Sequence, residues 1–171
     1  MSYKEFAEDI GKNKISGTVF IYGAENFLIN WASKEIVTKF IPEGERALNI
    51  REFYGDDSNT DANRILNEAG TYSMFGGNRV VIVHNFPALY KKADAATELD
   101  NKKILEFAGS DQNSTILIFL LDREHNKGTT AFKKNLMKVA KTYEMDKLDR
   151  KTVRGFISKR VRAAGKFIDS R

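Results

Sequence analysis

The chain reads as an α/β protein: an open, mainly parallel five-stranded sheet with helices on both faces. Three observations predict this. Thr18-Val19-Phe20-Ile21-Tyr22, Arg79-Val80-Val81-Ile82-Val83 and Thr115-Ile116-Leu117-Ile118-Phe119-Leu120-Leu121 are short runs, largely β-branched or aromatic, with no polar alternation. Such runs suit strands buried on both faces, as parallel sheets require. Between them lie stretches with apolar residues at helical spacing, so strands and helices alternate. The spacing of the whole pattern places the sheet over about residues 15–147.

Residues 2–12 form an amphipathic helix ending at Gly11. Gly23 closes the first strand. From Glu25 to Ile41, Phe27, Leu28, Trp31, Ala32, Ile36 and Phe40 recur at helical spacing, and Pro42 stops the helix. Ala47–Tyr54 reads as a second strand, with Leu48, Ile50, Glu52 and Tyr54 alternating against Asn49, Arg51 and Phe53. Asp57-Ser58-Asn59 offers caps for a helix carrying Ala62, Ile65, Leu66 and Ala69 on one face and ending at Gly70. The third strand is Arg79–Val83. A helix over Glu98–Ala108 ends at Gly109, and the fourth strand is Thr115–Leu121. Phe132, Leu136, Val139 and Ala140 mark another helix, and Lys141–Asp146 a short fifth strand. Near Asp149 a new unit begins: Val153, Phe156, Ile157 and Val161 form a helix stripe, with Gly165 at its end. Phe167-Ile168 and the cap-like Asp169-Ser170 predict a chain that continues into a helical domain.

Composition narrows the function. The chain has 171 residues, 42% hydrophobic and 30% charged, which is ordinary for a globular protein and wrong for a disordered one. Zero Cys removes disulfides, thiolate catalysis and Cys-based zinc sites. The two His, His84 and His125, make no sequence-local ligand pair. Thr115–Leu121 is too short to span a bilayer, and the N-terminus lacks a signal-peptide core. A soluble, intracellular-type domain is expected. Charge is uneven: residues 1–121 carry a net −4 and residues 122–171 a net +9. The basic third reads either as a surface for phosphates or an acidic partner, or as solvated helix surface.

Parallel α/β sheets often bind nucleotides after the first strand. A phosphate-binding loop aligned on Gly23 would need Gly, Lys and Ser/Thr where the chain has Leu28, Ile29 and Asn30. All three fail, and Glu25 adds a carboxylate where phosphate would sit. After the third strand come His84 and Asn85 rather than a metal-binding acid. Leu121-Asp122 ends the fourth strand, and a capping role suits that acid. Gly11-Lys12 follows no strand. Neither a G-x-S-x-G turn nor an H-E-x-x-H helix is present. His84 reads as structural or surface, and Asp56-Asp57 as capping and solvation. No catalytic residue, cofactor or metal is expected.

Thr71-Tyr72-Ser73-Met74-Phe75-Gly76-Gly77-Asn78 is unusual for a connection, because it carries three large apolar or aromatic side chains. They either fold back to cap the sheet, which composition alone favours, or present Met74 and Phe75 to a partner pocket. Met74 suits both.

Four segments in order, at matching spacing, resemble the delta subunit of bacterial DNA polymerase III, the clamp-loader subunit that opens the sliding clamp. They are Val19 to Leu28, Phe53-Tyr54-Gly55-Asp56, Ser73 to Val83, and Leu148-Asp149 leading to Phe156-Ile157. The resemblance implies an AAA+-like (RecA-like) α/β domain over 1–147 with a degenerate nucleotide site at Gly23, Leu28, Ile29 and Asn30. Residues 148–171 would start a helical lid domain. It implies clamp binding by Ser73, Met74 and Phe75, flanked by Tyr72, with Met in place of the usual Leu, a nearly volume-conserving swap. The implied partners are the sliding clamp (beta subunit), the other clamp-loader subunits through a further C-terminal region, and primed DNA within the assembly, in the bacterial cytoplasm and without a membrane. The family neither binds nor hydrolyses ATP, and polymerase activity resides in other subunits. On this reading the wedge interpretation of Met74 and Phe75 displaces the core one, and the chain alone is monomeric. The alternatives are an active nucleotide-hydrolysing AAA+ domain and a DNA-binding module using the basic third.

Overall fold

The computed structural model describes residues 2–58, 60–72, 76–110, 114–163 and 165–167. The elements run α1 (Tyr3–Gly11), β1 (Thr18–Tyr22), α2 (Asn26–Phe40), a 3-10 turn (Glu43–Glu45) leading into α3 (Arg46–Asn49), and β2 (Ile50–Tyr54). Then come α4 (Ala62–Ala69), β3 (Arg79–His84), a 3-10 turn (Pro87–Leu89), α5 (Ala95–Ala108), β4 (Thr115–Leu121), α6 (Ala131–Val139), β5 (Lys141–Glu144) and α7 (Arg150–Ala163). The five strands form one parallel sheet in the order β2-β3-β4-β1-β5.

Alternation along the strands builds two cores. Val19 and Ile21, Val80 and Ile82, and Ile116, Ile118 and Leu120 face one side, where they meet Phe6 of α1 and Leu28, Ile29, Ala32 and Ile36 of α2. Phe20, Val81, Val83, Leu117, Phe119 and Leu121 face the other, against Ile65 of α4, Ile104 of α5, and Phe132 and Leu136 of α6. Every residue of β4 is buried, which explains its unbroken apolar run. The edge strand β2 instead keeps all five residues at least partly exposed. Phe156 anchors α7 on the first core, with its ring 5.2 Å from Trp31 and 5.8 Å from Tyr3.

The strand predicted over Ala47–Tyr54 begins only at Ile50. Ala47–Asn49 is helical, because the Asn49 amide turns back to donate to Glu45 Oε2 at 3.0 Å and is itself buried. The α4 cap is Asp61, which accepts from Arg64 N–H at 2.8 Å, rather than Asp57 or Ser58; Asn59 lies outside the described residues. α5 starts three residues before the predicted Glu98 because Asp94 caps it through Thr97 N–H. The fifth strand stops at Glu144, two residues early, because its partner β1 ends at Tyr22, the residue that pairs with Glu144. Met145 N–H donates to Tyr22 O at 2.7 Å. Gly165, at φ +70°, follows α7 as expected. No helix among the described residues is long and apolar enough to cross a membrane.

A polar knot joins α1 to β5. Fully buried Tyr143 donates its hydroxyl to Asp9 Oδ2 at 2.7 Å, and Lys141 Nζ reaches the same oxygen at 2.9 Å. These bonds from Lys141 and Tyr143 hold the Asp9 carboxyl below the ordinary aspartate value, while burial and the Asp9 charge push Tyr143 up. A depressed carboxyl pKa contributes stability that is complete above the unfolded value of about 3.9 and is lost as pH falls through the folded one. Asp9→Asn is therefore expected to lower stability at pH 7 and at pH 5 by similar amounts, with the gap to wild type closing toward pH 3. Urea unfolding at the three pH values checks this; a gap that stays constant down to pH 3 contradicts it.

Candidate functional site

The two ends of the sheet differ. At the carboxyl ends of the strands, the β1–α2 turn lies where this class of sheet commonly places phosphates. Gly23 sits there at φ +152°, and a Cβ on it would come within 2.3 Å of Met145 O. Glu25 N–H donates to the same Met145 oxygen at 2.9 Å. Leu28 and Ile29 are each 2% exposed and packed in the core; their N–H groups donate to Glu25 O at 3.0 and 3.2 Å. Asn30 is exposed on α2. Asn26 Oδ1 accepts from Arg123 N–H at 2.9 Å, which ties the turn to the end of β4. Of the positions considered for a phosphate cradle, Leu28 and Ile29 thus serve as packing and Gly23 as turn closure, while Asn30 lies on the exposed side of α2.

The ends of β3 and β4 are joined by side chains. Asn85, at φ +50°, donates from Nδ2 to Asp122 Oδ2 at 2.7 Å, and its Oδ1 accepts Asp122 N–H at 3.0 Å. Asp122 Oδ1 accepts His125 N–H at 2.9 Å and lies 2.8 Å from His125 Nδ1. Burial raises the Asp122 pKa, but the bonds from His125 and Asn85 outweigh it and leave the carboxyl below its usual value. Asp122 is a capping residue, as expected from sequence. His84 stands apart from this cluster: its Nε2 is 3.1 Å from Glu52 Oε2 and its ring stacks on Tyr54 at 4.5 Å. Among the described residues no group of three or more His, Asp or Glu side chains could hold a metal ion.

Sequence reasoning passed over Lys133. It is buried on α6, donates Nζ to Asn126 Oδ1 at 2.5 Å, and sits 4.9 Å over the Tyr22 ring. Desolvation lowers its pKa. The signal was hidden because a lysine between Phe132 and Leu136 reads as the solvated side of α6.

At the amino ends of the strands lies the connection from α4 to β3. Its stems are pinned together. Arg79, 6% exposed, donates Nε to Glu68 O at 2.9 Å, and its Nη2 pairs with the Glu68 carboxylate. Arg51 Nε lies 3.6 Å from that carboxylate. Thr71 Oγ1 donates to Asn67 O at 2.7 Å, and Arg79 N–H to Ser114 O at 2.8 Å. Tyr72 is 82% exposed, so its ring is not part of a cap on the sheet. Ser73, Met74 and Phe75 lie outside the described residues. Gly76 and Gly77 follow at positive φ. The Arg79–Glu68 pair was not foreseen; a charged residue opening an apolar strand was its one sequence signal.

An open parallel sheet in this strand order, with helices on both faces, defines a RecA/AAA+-like protein. Within that class, residues 20–146 match the family model for DNA polymerase III, delta subunit, and the chain belongs to that family. Its fold is similar to that of the Bacillus subtilis DNA clamp loader delta protein, with a TM-score of 0.72 at 17% identity, covering 97% of this chain and 49% of that one. A Thermotoga maritima protein related to the DNA polymerase III gamma subunit gives 0.55 at 15% identity, over 91% and 49% of the two chains. The Thermotoga maritima RuvB Holliday junction branch migration motor gives 0.52 at 12%, over 95% and 50%. The chain spans about half the length of these proteins. No curated protein matches it.

The crowding at Gly23 has a measurable consequence. Gly23→Ala meets both an unfavourable φ and the Met145 backbone, and should cost about 2–4 kcal/mol. Gly44→Ala, in open space, should stay within about 0.5 kcal/mol. Equal midpoints for the two variants in urea would show that Met145 does not close over the turn.

Proposed function

We propose that this chain is the clamp-gripping part of a clamp-loader delta subunit, a non-enzymatic protein that binds the sliding clamp through Tyr72, Ser73, Met74 and Phe75 and helps hold the ring open for loading onto primed DNA. The observation that carries the reading is the α4–β3 connection. In a chain of the delta family, an aromatic-rich segment leaves an anchored stem with Tyr72 exposed, at the sheet end away from the β1–α2 turn.

The action is mechanical. Met74 and Phe75 enter an apolar pocket on one clamp subunit, and burying two such side chains contributes about 1.5–3 kcal/mol each. Only the difference between binding the open and closed rings shifts the ring toward opening. The pinned stem supports this role, since a wedge on a slack loop would lose binding energy to ordering.

A non-enzymatic role is supported by the β1–α2 turn. Leu28 and Ile29 supply packing rather than phosphate contacts, and the Met145 backbone lies against Gly23. On this reading residues 1–147 form the AAA+-like domain and α7 opens a lid domain over 148–171. ATP acts on other subunits, which join through a region outside this chain, in the bacterial cytoplasm. A DNA contact by α7 within the loader is compatible, because Arg150, Lys151, Arg154, Lys159, Arg160 and Arg162 are all exposed on that helix.

The test is binding to a purified bacterial sliding clamp. Met74→Ala/Phe75→Ala should weaken it by about 2–4 kcal/mol, roughly 30- to 1,000-fold in Kd, with the thermal midpoint unchanged. Equal binding by wild type and double variant would place the clamp surface elsewhere.

A further inference from the structure

The sheet face that carries α2 is open beside that helix. None of the five β2 residues is fully buried, and a groove of about 490 Å³ runs between α2 and strands β2 and β3. Its floor is apolar: partly exposed Val37 and Ile50, backed by the buried Ile82 and Leu120. Lys34 of α2 forms one wall and Arg46 of α3 lines the groove as well. Neither has an ion-pair partner among the described residues, and Arg46 Nε is buried with no hydrogen-bond acceptor. An orphaned buried donor is costly and calls for an acceptor. The groove's one carboxylate, Glu52, is already engaged: its Oε2 accepts the Tyr54 hydroxyl at 2.9 Å and lies 3.1 Å from His84 Nε2.

The remaining character is two uncompensated cations beside an apolar floor. We infer that this groove docks an acidic amphipathic helix of a partner protein, which sets apolar side chains on Val37 and Ile50 and carboxylates on Arg46 and Lys34. An apolar floor on an exposed sheet face favours a helix with an apolar stripe over a small anion. A bidentate carboxylate on Arg46 satisfies the buried Nε, and charge complementarity at the wall sets orientation. The surface is distinct from the α4–β3 connection, so the inference stands whatever that connection binds.

The experiment uses the full chain and a 14-residue helical peptide with Leu at i, i+3, i+4 and i+7 and Glu between. A second peptide has Gln at every Glu. Affinities are measured by calorimetry, and amide shifts by NMR. The Glu peptide is expected to bind at least tenfold more tightly than the Gln peptide, with shifts around Lys34, Arg46 and Ile82. Lys34→Glu, at an exposed position, should weaken it at least fivefold, as should Arg46→Gln, with thermal midpoints confirming that both fold. Absence of binding at millimolar peptide overturns the proposal, as does equal binding by wild type and Lys34→Glu. Displacement of the peptide by millimolar inorganic phosphate would make the groove a small-anion site instead, and would also overturn it.

Discussion

Burial of β4 on both faces is the constraint from which the rest of the structure follows. A parallel strand in the middle of a sheet cannot face water, so each of its seven residues must be covered. Ile116, Ile118 and Leu120 require α1 and α2 above; Leu117, Phe119 and Leu121 require α4, α5 and α6 below. The neighbouring strands β1 and β3 repeat the same alternation in register, Val19 beside Ile118 and Ile82 beside Ile118 on the other side. Large-to-small changes here typically cost about 2–5 kcal/mol, a large share of a domain's total stability.

A rigid sheet of this kind separates its two ends. At the carboxyl ends the chain closes on itself: Met145 lies on the β1–α2 turn, and Asn85, Asp122 and His125 bind the exits of β3 and β4 to one another. At the amino ends the α4–β3 connection leaves stems held by the buried Arg79. Arg79 is buried while its partner Glu68 is partly exposed, and losing the carboxylate would leave the guanidinium with one acceptor fewer, so the pair couples the start of β3 to the end of α4. The proposed division of labour follows: one end of the domain is used for structure and the other for contact with the clamp.

Much of the fold was legible because its central strands carry one unambiguous signal, unbroken apolar runs between helical spacings. The misses have local causes. Ala47–Asn49 alternates like a strand, but the bond from Asn49 to Glu45 is invisible to periodicity. The start of α5 was written in its cap, Asp94, rather than in apolar spacing, because Ala95 to Thr97 offer little of it. β5 reads on to Asp146 because the end of its pairing is set by where its neighbour β1 stops, which the residues of β5 do not announce. The candidate wedge was visible as apolar residues in a connection, but composition favoured a sheet cap, and only the resemblance to the delta family turned the reading outward. The groove beside α2 had no linear signature at all, since Lys34, Arg46, Glu52 and His84 meet only through the strand order.

The proposed function has the clamp gripped at the amino end of the sheet, through the α4–β3 connection. Hydrogen exchange of the chain with and without a purified bacterial sliding clamp tests it directly. Slowed exchange confined to residues 70–79, with the amides of residues 23–30 unchanged, is the predicted result. Protection at the β1–α2 turn, or none across 70–79 when the complex is formed, would contradict it.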